Sequence, residues 1–244
     1  MEVGFARAEE ARAVMLELFP EGFEEVDHQK GVELVAYTDA AGEERMWHFF
    51  GTTNVDDVPL GWEERWRDFH RPVQVGRLWI GPPWETAPAD ARTVVIDPGR
   101  AFGTGSHGTT QLCLQLLQEI EPASLLDIGC GSGVLSIAAA LLGFAPVIGV
   151  DIEEPAIEAT RENAAANGVE VTAHLVAADA PLPTVDVAVA NISLAAIGSL
   201  RGRLDATTVI TSGYVVAHQP RLPGFTHVER RTFDAWASDL FTRA

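Results

Sequence analysis

Residues 93 to 244 are predicted to form an α/β domain, a seven-stranded and mostly parallel sheet of the Rossmann-like kind with helices on both faces. A small, reduced N-terminal α+β domain precedes it. Three observations predict this. From about residue 93, strand-like and helix-like runs alternate, the pattern of crossover connections between parallel strands. One of these strands, Ser124 to Ile128, runs directly into a glycine-rich turn and an apolar helix. The texture also changes near residue 90, before which lie most of the Trp, Phe and acidic residues.

A short strand at Val3 to Phe5 opens the chain, and an amphipathic helix follows over Ala8 to Phe19, with Val14, Leu16 and Leu18 among its apolar positions. Pro20 and Gly22 stop it. Two strands come next, Val32 to Tyr37 and Met46 to Phe50, and the insert Asp39 to Gly42 between them predicts a hairpin. The 39–45 insert leaves no room for a second helix. Within Gly61 to Phe69, Trp62 and Trp66 stand at an i, i+4 spacing, with Phe69 at i+7, which makes one packed face of a helix. Pro72, Pro82, Pro83 and Pro88 then punctuate an extended connection containing a possible strand at Arg77 to Ile80. The expected organisation is 1–55 for the small domain, 56–92 for a helical and extended linker, and 93–244 for the large domain.

The large domain's expected strands are Ser124 to Ile128, Pro146 to Asp151, Val171 to Val176, Asp186 to Ala190, Val209 to Ser212, Thr226 to Thr232 and Asp239 to Arg243. Its expected helices are Thr109 to Ile120, Val134 to Leu142, Pro155 to Asn167 and Leu194 to Arg203. Pro220 and Pro223 leave only a stub between Tyr214 and Gly224.

The chain has 244 residues, 47% hydrophobic and 21% charged, ample for a core and unlike disordered or fibrous proteins. Its formal net charge is −18, and both halves share the excess, residues 1 to 90 carrying 8 basic and 19 acidic groups. Such a surface repels a phosphate backbone and steers a basic macromolecule inward, so direct nucleic-acid binding is not expected. Two cysteines, Cys113 and Cys130, make no disulfide framework, and the seven histidines lack ligand spacing, so no metal is expected. The charged start, without a signal-like apolar stretch or a membrane span, points to a cytoplasmic protein.

The sharpest motif is Asp127-Ile128-Gly129-Cys130-Gly131-Ser132-Gly133. Glycines there let the backbone approach a ligand at the carboxyl end of the first large-domain strand. Asp151 ends the next strand, where an acid can accept hydrogen bonds from both hydroxyls of a ribose. Nicotinamide and adenosyl cofactors share that feature. The dinucleotide fingerprint, however, requires Gly-x-Gly-x-x-Gly, and its last glycine would fall at Val134.

Gly129, Gly131 and Gly133, preceded by Asp127, resemble the loop of the class I S-adenosylmethionine-dependent methyltransferases. Two further segments narrow the likeness. The run Asp97-Pro98-Gly99-Arg100-Ala101-Phe102-Gly103-Thr104-Gly105-Ser106-His107-Gly108-Thr109-Thr110 and the strand end Ala190-Asn191-Ile192 are similar to those of the bacterial ribosomal protein L-eleven methyltransferase family (PrmA). The resemblance extends over about residues 60 to 244.

The resemblance implies S-adenosylmethionine as cofactor and Thr110, Gly129, Asp151 and Asn191 as its contacts, with Gly131 and Gly133 completing the loop and Asp127 helping to hold the loop and the amino group. Phe102 and Asn191 are the candidate catalytic residues: Phe102 would wall the reacting centre, and the Asn191 carbonyl would hold an incoming amine. An Asn ending an apolar strand is costly unless paired or open to a cleft. His107 is better read as a capping or packing residue than as a base, and Asp179 as a solvated acid that could alternatively reach an adenine amino group. No general base is required if burial keeps the acceptor amine neutral.

The leading expectation is therefore a methyltransferase acting on lysine or N-terminal amino groups of a basic large-subunit ribosomal protein. A second reading, prompted by the reduced N-terminal part, has the same chemistry on another protein lysine or a small molecule. A third, from another class, is a nicotinamide dehydrogenase or a nucleotide-binding module without chemistry.

Overall fold

The computed structural model describes residues 2–4, 11, 14–15, 18–19, 24–28, 31–36, 38, 40–51, 71–97 and 105–244. The chain divides into two compact units, Met1–Trp62 and Glu63–Ala244.

In the first unit, β1 (Glu2–Gly4), β2 (Glu24–His28) and β3 (Gly31–Val35) form an antiparallel sheet in the order β1-β3-β2. Ala11, Val14, Met15 and Leu18 are helical, as expected. The hairpin joins β2 to β3, with His28 opposite Gly31. It does not join β3 to a strand at Met46 to Phe50, because those residues end a helix, α1 (Ala40–Phe50). The aromatic run has strand propensity, but Glu43, Glu44 and Arg45 before it favour a helix, and the buried residues Gly42 and Met46 stand at the i, i+4 spacing of one helical face. Met46 joins Ala11, Met15, Phe19, Val32 and Leu34 in this unit's core. The room expected to be lacking for a second helix is therefore there.

The second unit carries a seven-stranded sheet of β7 (Leu125–Ile128), β8 (Val147–Asp151), β9 (Thr172–Leu175), β10 (Val187–Asn191), β11 (Thr208–Val215), β12 (Phe225–Phe233) and β13 (Trp236–Arg243). Their order is β12-β13-β11-β10-β7-β8-β9, and all pairings are parallel except those of β13 with its two neighbours. The central strands β7 and β10 are buried on both faces, which is why Leu125 to Ile128 and Val187 to Ala190 read as nearly unbroken apolar runs. The helices are α2 (Gly108–Leu117), α3 (Val134–Leu142), α4 (Glu154–Ala166) and α5 (Leu194–Ser199). The last is shorter than expected and gives way to turns before Arg203, with Gly202 at φ 72°. The stub at Pro220 and Pro223 carries no helix, as expected.

The passage expected to be a linker holds a second sheet. β4 (Val73–Val75) pairs antiparallel with β5 (Leu78–Gly81), and β5 pairs parallel with β6 (Arg92–Val95). Val75, Leu78, Ile80, Val94 and Ile96 belong to the same core as Leu114, Leu117 and Ile137. Asn163 of α4 and its C-cap Asn167 complete the outer edge of β6: Asn167 accepts from Val95 N–H and donates to Val95 C=O, and Asn163 accepts from Asp97 N–H at 3.0 Å. Asn163 also donates to the Ser132 carbonyl of the glycine turn at 2.9 Å. The segment entering the Asp97 motif is thereby tied to the turn after β7.

Candidate active site

Open α/β sheets bind ligands beyond the carboxyl ends of their strands, where the strand order reverses. Here the chain builds outward from β7 to β8 and β9, then returns to place β10 on the other side of β7. A cavity of ≈ 380 Å³ lies at that point, within the roughly 300–1,000 Å³ of small-molecule sites. Its lining follows the sheet: Asn191 ends β10, Gly129 to Gly131 follow β7, Asp151 ends β8, and Val176 to Ala178 follow β9. Thr110 of α2 and Ser199 of α5 add to it.

The glycine turn has the conformation its sequence demands. Gly129, Gly131 and Gly133 have φ of 75°, 55° and 82°, in the region that side chains disfavour. A Cβ on Gly129 would stand 2.4 Å from Ile192 Cγ2, and one on Gly133 would press on Thr160. Gly129 N–H and Cys130 N–H both donate to the Val150 carbonyl, which draws the turn onto the end of β8.

Asp151 braces the same turn. Its Oδ2 accepts from Gly131 N–H at 3.0 Å, and its Oδ1 accepts from Ile152 N–H at 2.7 Å and Glu153 N–H at 3.1 Å. A carboxylate offers about four lone-pair positions, so these three bonds leave limited capacity for a ligand hydroxyl. The acid therefore has a structural task beside the ligand contact expected of it.

Asp127 does not line the cavity and is buried behind the turn. Its Oδ2 accepts from Ser136 N–H at 3.0 Å and from Ser136 Oγ–H at 2.7 Å. Its Oδ1 is buried without a hydrogen-bond partner among the described residues. Burial pushes the carboxyl up to about 6 against the pull of the Ser136 hydrogen bonds, and the nearby Asp151 charge adds to the rise.

Thr110 and Asn191 meet. Thr110 is buried in the first turn of α2, and its hydroxyl accepts from Asn191 Nδ2 at 3.2 Å. The strand-ending Asn is paired as its position requires, and with Nδ2 so engaged, its Oδ1 is the group it can offer a ligand. His107 is the N-cap of α2, its Nδ1 2.7 Å from Thr109 Oγ1, and its ring meets Trp236 edge-on at 4.7 Å. Phe102 lies outside the described residues, and Asp179 is not among the lining residues.

Sequence reasoning missed Ile152, Glu153 and Arg203 as lining residues. The first two follow Asp151 directly and could have been found from the strand end. Arg203 carries no motif. It lines the cavity only because the turns after α5 bring it back toward the end of β9.

The residues fit an adenosyl amino acid better than a dinucleotide. Arg203, the one cation of the lining among the described residues, has both amino groups on backbone carbonyls, so the cavity offers a diphosphate no uncommitted cation there. The turn admits no Cβ at Gly129, and one Asp127 oxygen behind it has no partner among the described residues.

The strand order, with a single antiparallel strand at β13 and the glycine turn at the switch point, defines a class I methyltransferase fold. The chain belongs to the family described as ribosomal protein L11 methyltransferase (PrmA), whose model matches residues 9–232. A protein named ribosomal protein L11 methyltransferase from Pseudomonas paraeruginosa is 46% identical over 162 residues, covering 64% of this chain and 54% of that protein. One of the same name from Legionella pneumophila is 39% identical over 196 residues, covering 74% and 68%. The chain spans about half the length of the Pseudomonas relatives it matches. A solved structure titled ribosomal protein L11 methylase from Lactobacillus delbrueckii subsp. bulgaricus superposes with a TM-score of 0.61 at 31% identity, covering 71% of this chain and 99% of that one.

Proposed function

We propose that this chain transfers methyl groups from S-adenosylmethionine to lysine or N-terminal amino groups of ribosomal protein L11, the substrate its relatives are named for. The observation that carries the reading is the convergence of Thr110, the Gly129 turn, Asp151 and Asn191 on one cavity. S-adenosylmethionine, when bound, supplies an activated methyl and its own leaving group, so the protein's work is positioning and exclusion of water.

Thr110, whose hydroxyl stands at the positive end of α2, suits a carboxylate. Asp151 suits ribose hydroxyls. Asn191, with its amide fixed by Thr110, presents Oδ1 as an acceptor that can orient the N–H of an incoming amine and so direct its lone pair. An amine must be neutral to attack, and a lysine at about 10.4 in water is mostly charged. The apolar walls given by Ile128, Val134 and Ile192 favour the neutral form. The net charge of −18 favours capture of a basic protein, and the Met1–Trp62 unit is the proposed recognition element. The second helix of that unit is present in α1, which weakens the reading with a different target, although its sheet has three strands among the described residues.

Thermal unfolding with S-adenosylhomocysteine against NAD tests the cofactor class. The melting temperature is expected to rise with the first and stay unchanged with the second. A rise with NAD alone would move the chain to the dehydrogenase reading.

A further inference from the structure

Among the described residues Arg203 is the one cation lining the cavity, and the reading above gives it no task. It follows α5, the helix entered from β10, yet its guanidinium reaches the turn that follows β9. Nη1 donates to the Ala178 carbonyl at 2.7 Å, and Nη2 donates to the Ala180 carbonyl. In the sheet, β7 and β8 separate β10 from β9. Arg203 therefore fastens segments arising on opposite flanks of the glycine turn and Asp151. Nε is buried with no partner among the described residues, so the side chain gives up hydration of one N–H to keep its other donors on the carbonyls.

The fastened turn has little hold of its own. Ala177, Ala178 and Ala180 have no side chain able to hydrogen-bond, and among the described residues the turn's backbone is tied by Val176 N–H to Asp151 C=O and Ala180 N–H to Ala177 C=O, both at 2.9 Å. Its place along the sheet says what it meets. If Asp151 takes the ribose and Thr110 with Asn191 the amino-acid end, the base falls on the β9 side, against Val176, Ala177 and Ala178. We infer that Arg203 is a positioning residue that holds the turn after β9 in place as the wall of an adenine subsite. This rests on the S-adenosylmethionine reading of the cavity.

Arg203→Met keeps a long stem and removes the donors, whereas Arg203→Lys restores a charge and a single donating head. Calorimetric titration with S-adenosylhomocysteine and with methylthioadenosine, which lacks the amino-acid part, reads the subsite directly. Arg203→Met is expected to bind both about tenfold more weakly, and Arg203→Lys to recover part of the loss. Amide hydrogen exchange in the ligand-free Met variant should quicken at 176–182 and not in β7 or β10. Wild-type affinity for both ligands in Arg203→Met overturns the inference, and so does a loss confined to S-adenosylhomocysteine or exchange that quickens across the whole sheet. If wild-type protein binds neither ligand, the cofactor reading itself is what fails.

Discussion

Asn191 Nδ2 donates to Thr110 Oγ1 at 3.2 Å, joining the end of β10 to the first turn of α2 across 81 residues of chain. Thr110→Val preserves the β-branched shape and removes the acceptor, which leaves a partly buried amide free to turn. The expected cost is about 1–2 kcal/mol in cofactor affinity, roughly tenfold in Kd. The transfer rate should fall further, because Asn191 Oδ1 no longer has a fixed direction. Calorimetry and single-turnover kinetics on the same variant separate the two effects, and an unchanged rate would remove Asn191 from the transfer step.

Gly129→Ala tests the turn. It combines the cost of a side chain at φ 75° with a Cβ 2.4 Å from Ile192 Cγ2. About 2–3 kcal/mol of stability should be lost, and ligand binding with it. Adding Ile192→Ala should return the part due to the clash and leave the part due to the dihedral, as read from urea midpoints of the single and double variants.

Asp127 predicts an unusual pH dependence. Its folded pKa of about 6 lies above the unfolded value near 3.9, so the native state binds the proton more tightly. Its contribution is then fully present below about pH 4 and is lost as pH rises through 6. Asp127→Asn removes this loss. Relative to wild type, the variant should gain about 1.4 kcal/mol between pH 5 and pH 8, while binding the cofactor less well. Urea titrations at the two pH values measure the gain, and a constant difference between the proteins would contradict the raised pKa.

Asp239 predicts the opposite sign at lower pH. Burial alone would push this fully buried carboxyl up, but hydrogen bonds from Arg230, Tyr214 and His227 hold it below the usual carboxylate range. Stability it contributes is present above about pH 4 and lost as pH falls through the lowered pKa. Asp239→Ala, which leaves Arg230 only the Val216 and His218 carbonyls and unpairs the Tyr214 hydroxyl from its carboxylate, should cost about 2–3 kcal/mol at neutral pH. Thermal denaturation at pH 7 and pH 3 reads both effects: the variant should be much less stable than wild type at pH 7 and closer to it at pH 3.

The large sheet was legible because its central strands β7 and β10 are buried on both faces and its helices carry glycine or cap signals, as at Gly133 and Gly143 for α3. Elsewhere local propensity misled. Met46 to Phe50 has strand composition, and only the spacing of Gly42 and Met46 reveals the helical face. β2 is acidic and polar at Glu24, Glu25 and Asp27, and gives no alternation to read. β4 and β6 are three and four residues long, too short for a period, and β6 is completed by Asn163 and Asn167 of a distant helix. At the site, Thr110, Gly129, Asp151 and Asn191 sit on motif positions, and the fold brings them to one cavity. Arg203 acts through backbone carbonyls that any residue supplies, so its sequence holds no trace of the partners.

The most direct test of the account is intact-mass spectrometry of unmethylated ribosomal protein L11 after incubation with this chain and S-adenosylmethionine. The account predicts additions in whole multiples of one methyl group, absent when Asn191→Ala replaces the wild-type chain. An unchanged mass from wild-type protein that binds S-adenosylhomocysteine would contradict the proposed substrate and leave only the cofactor site standing.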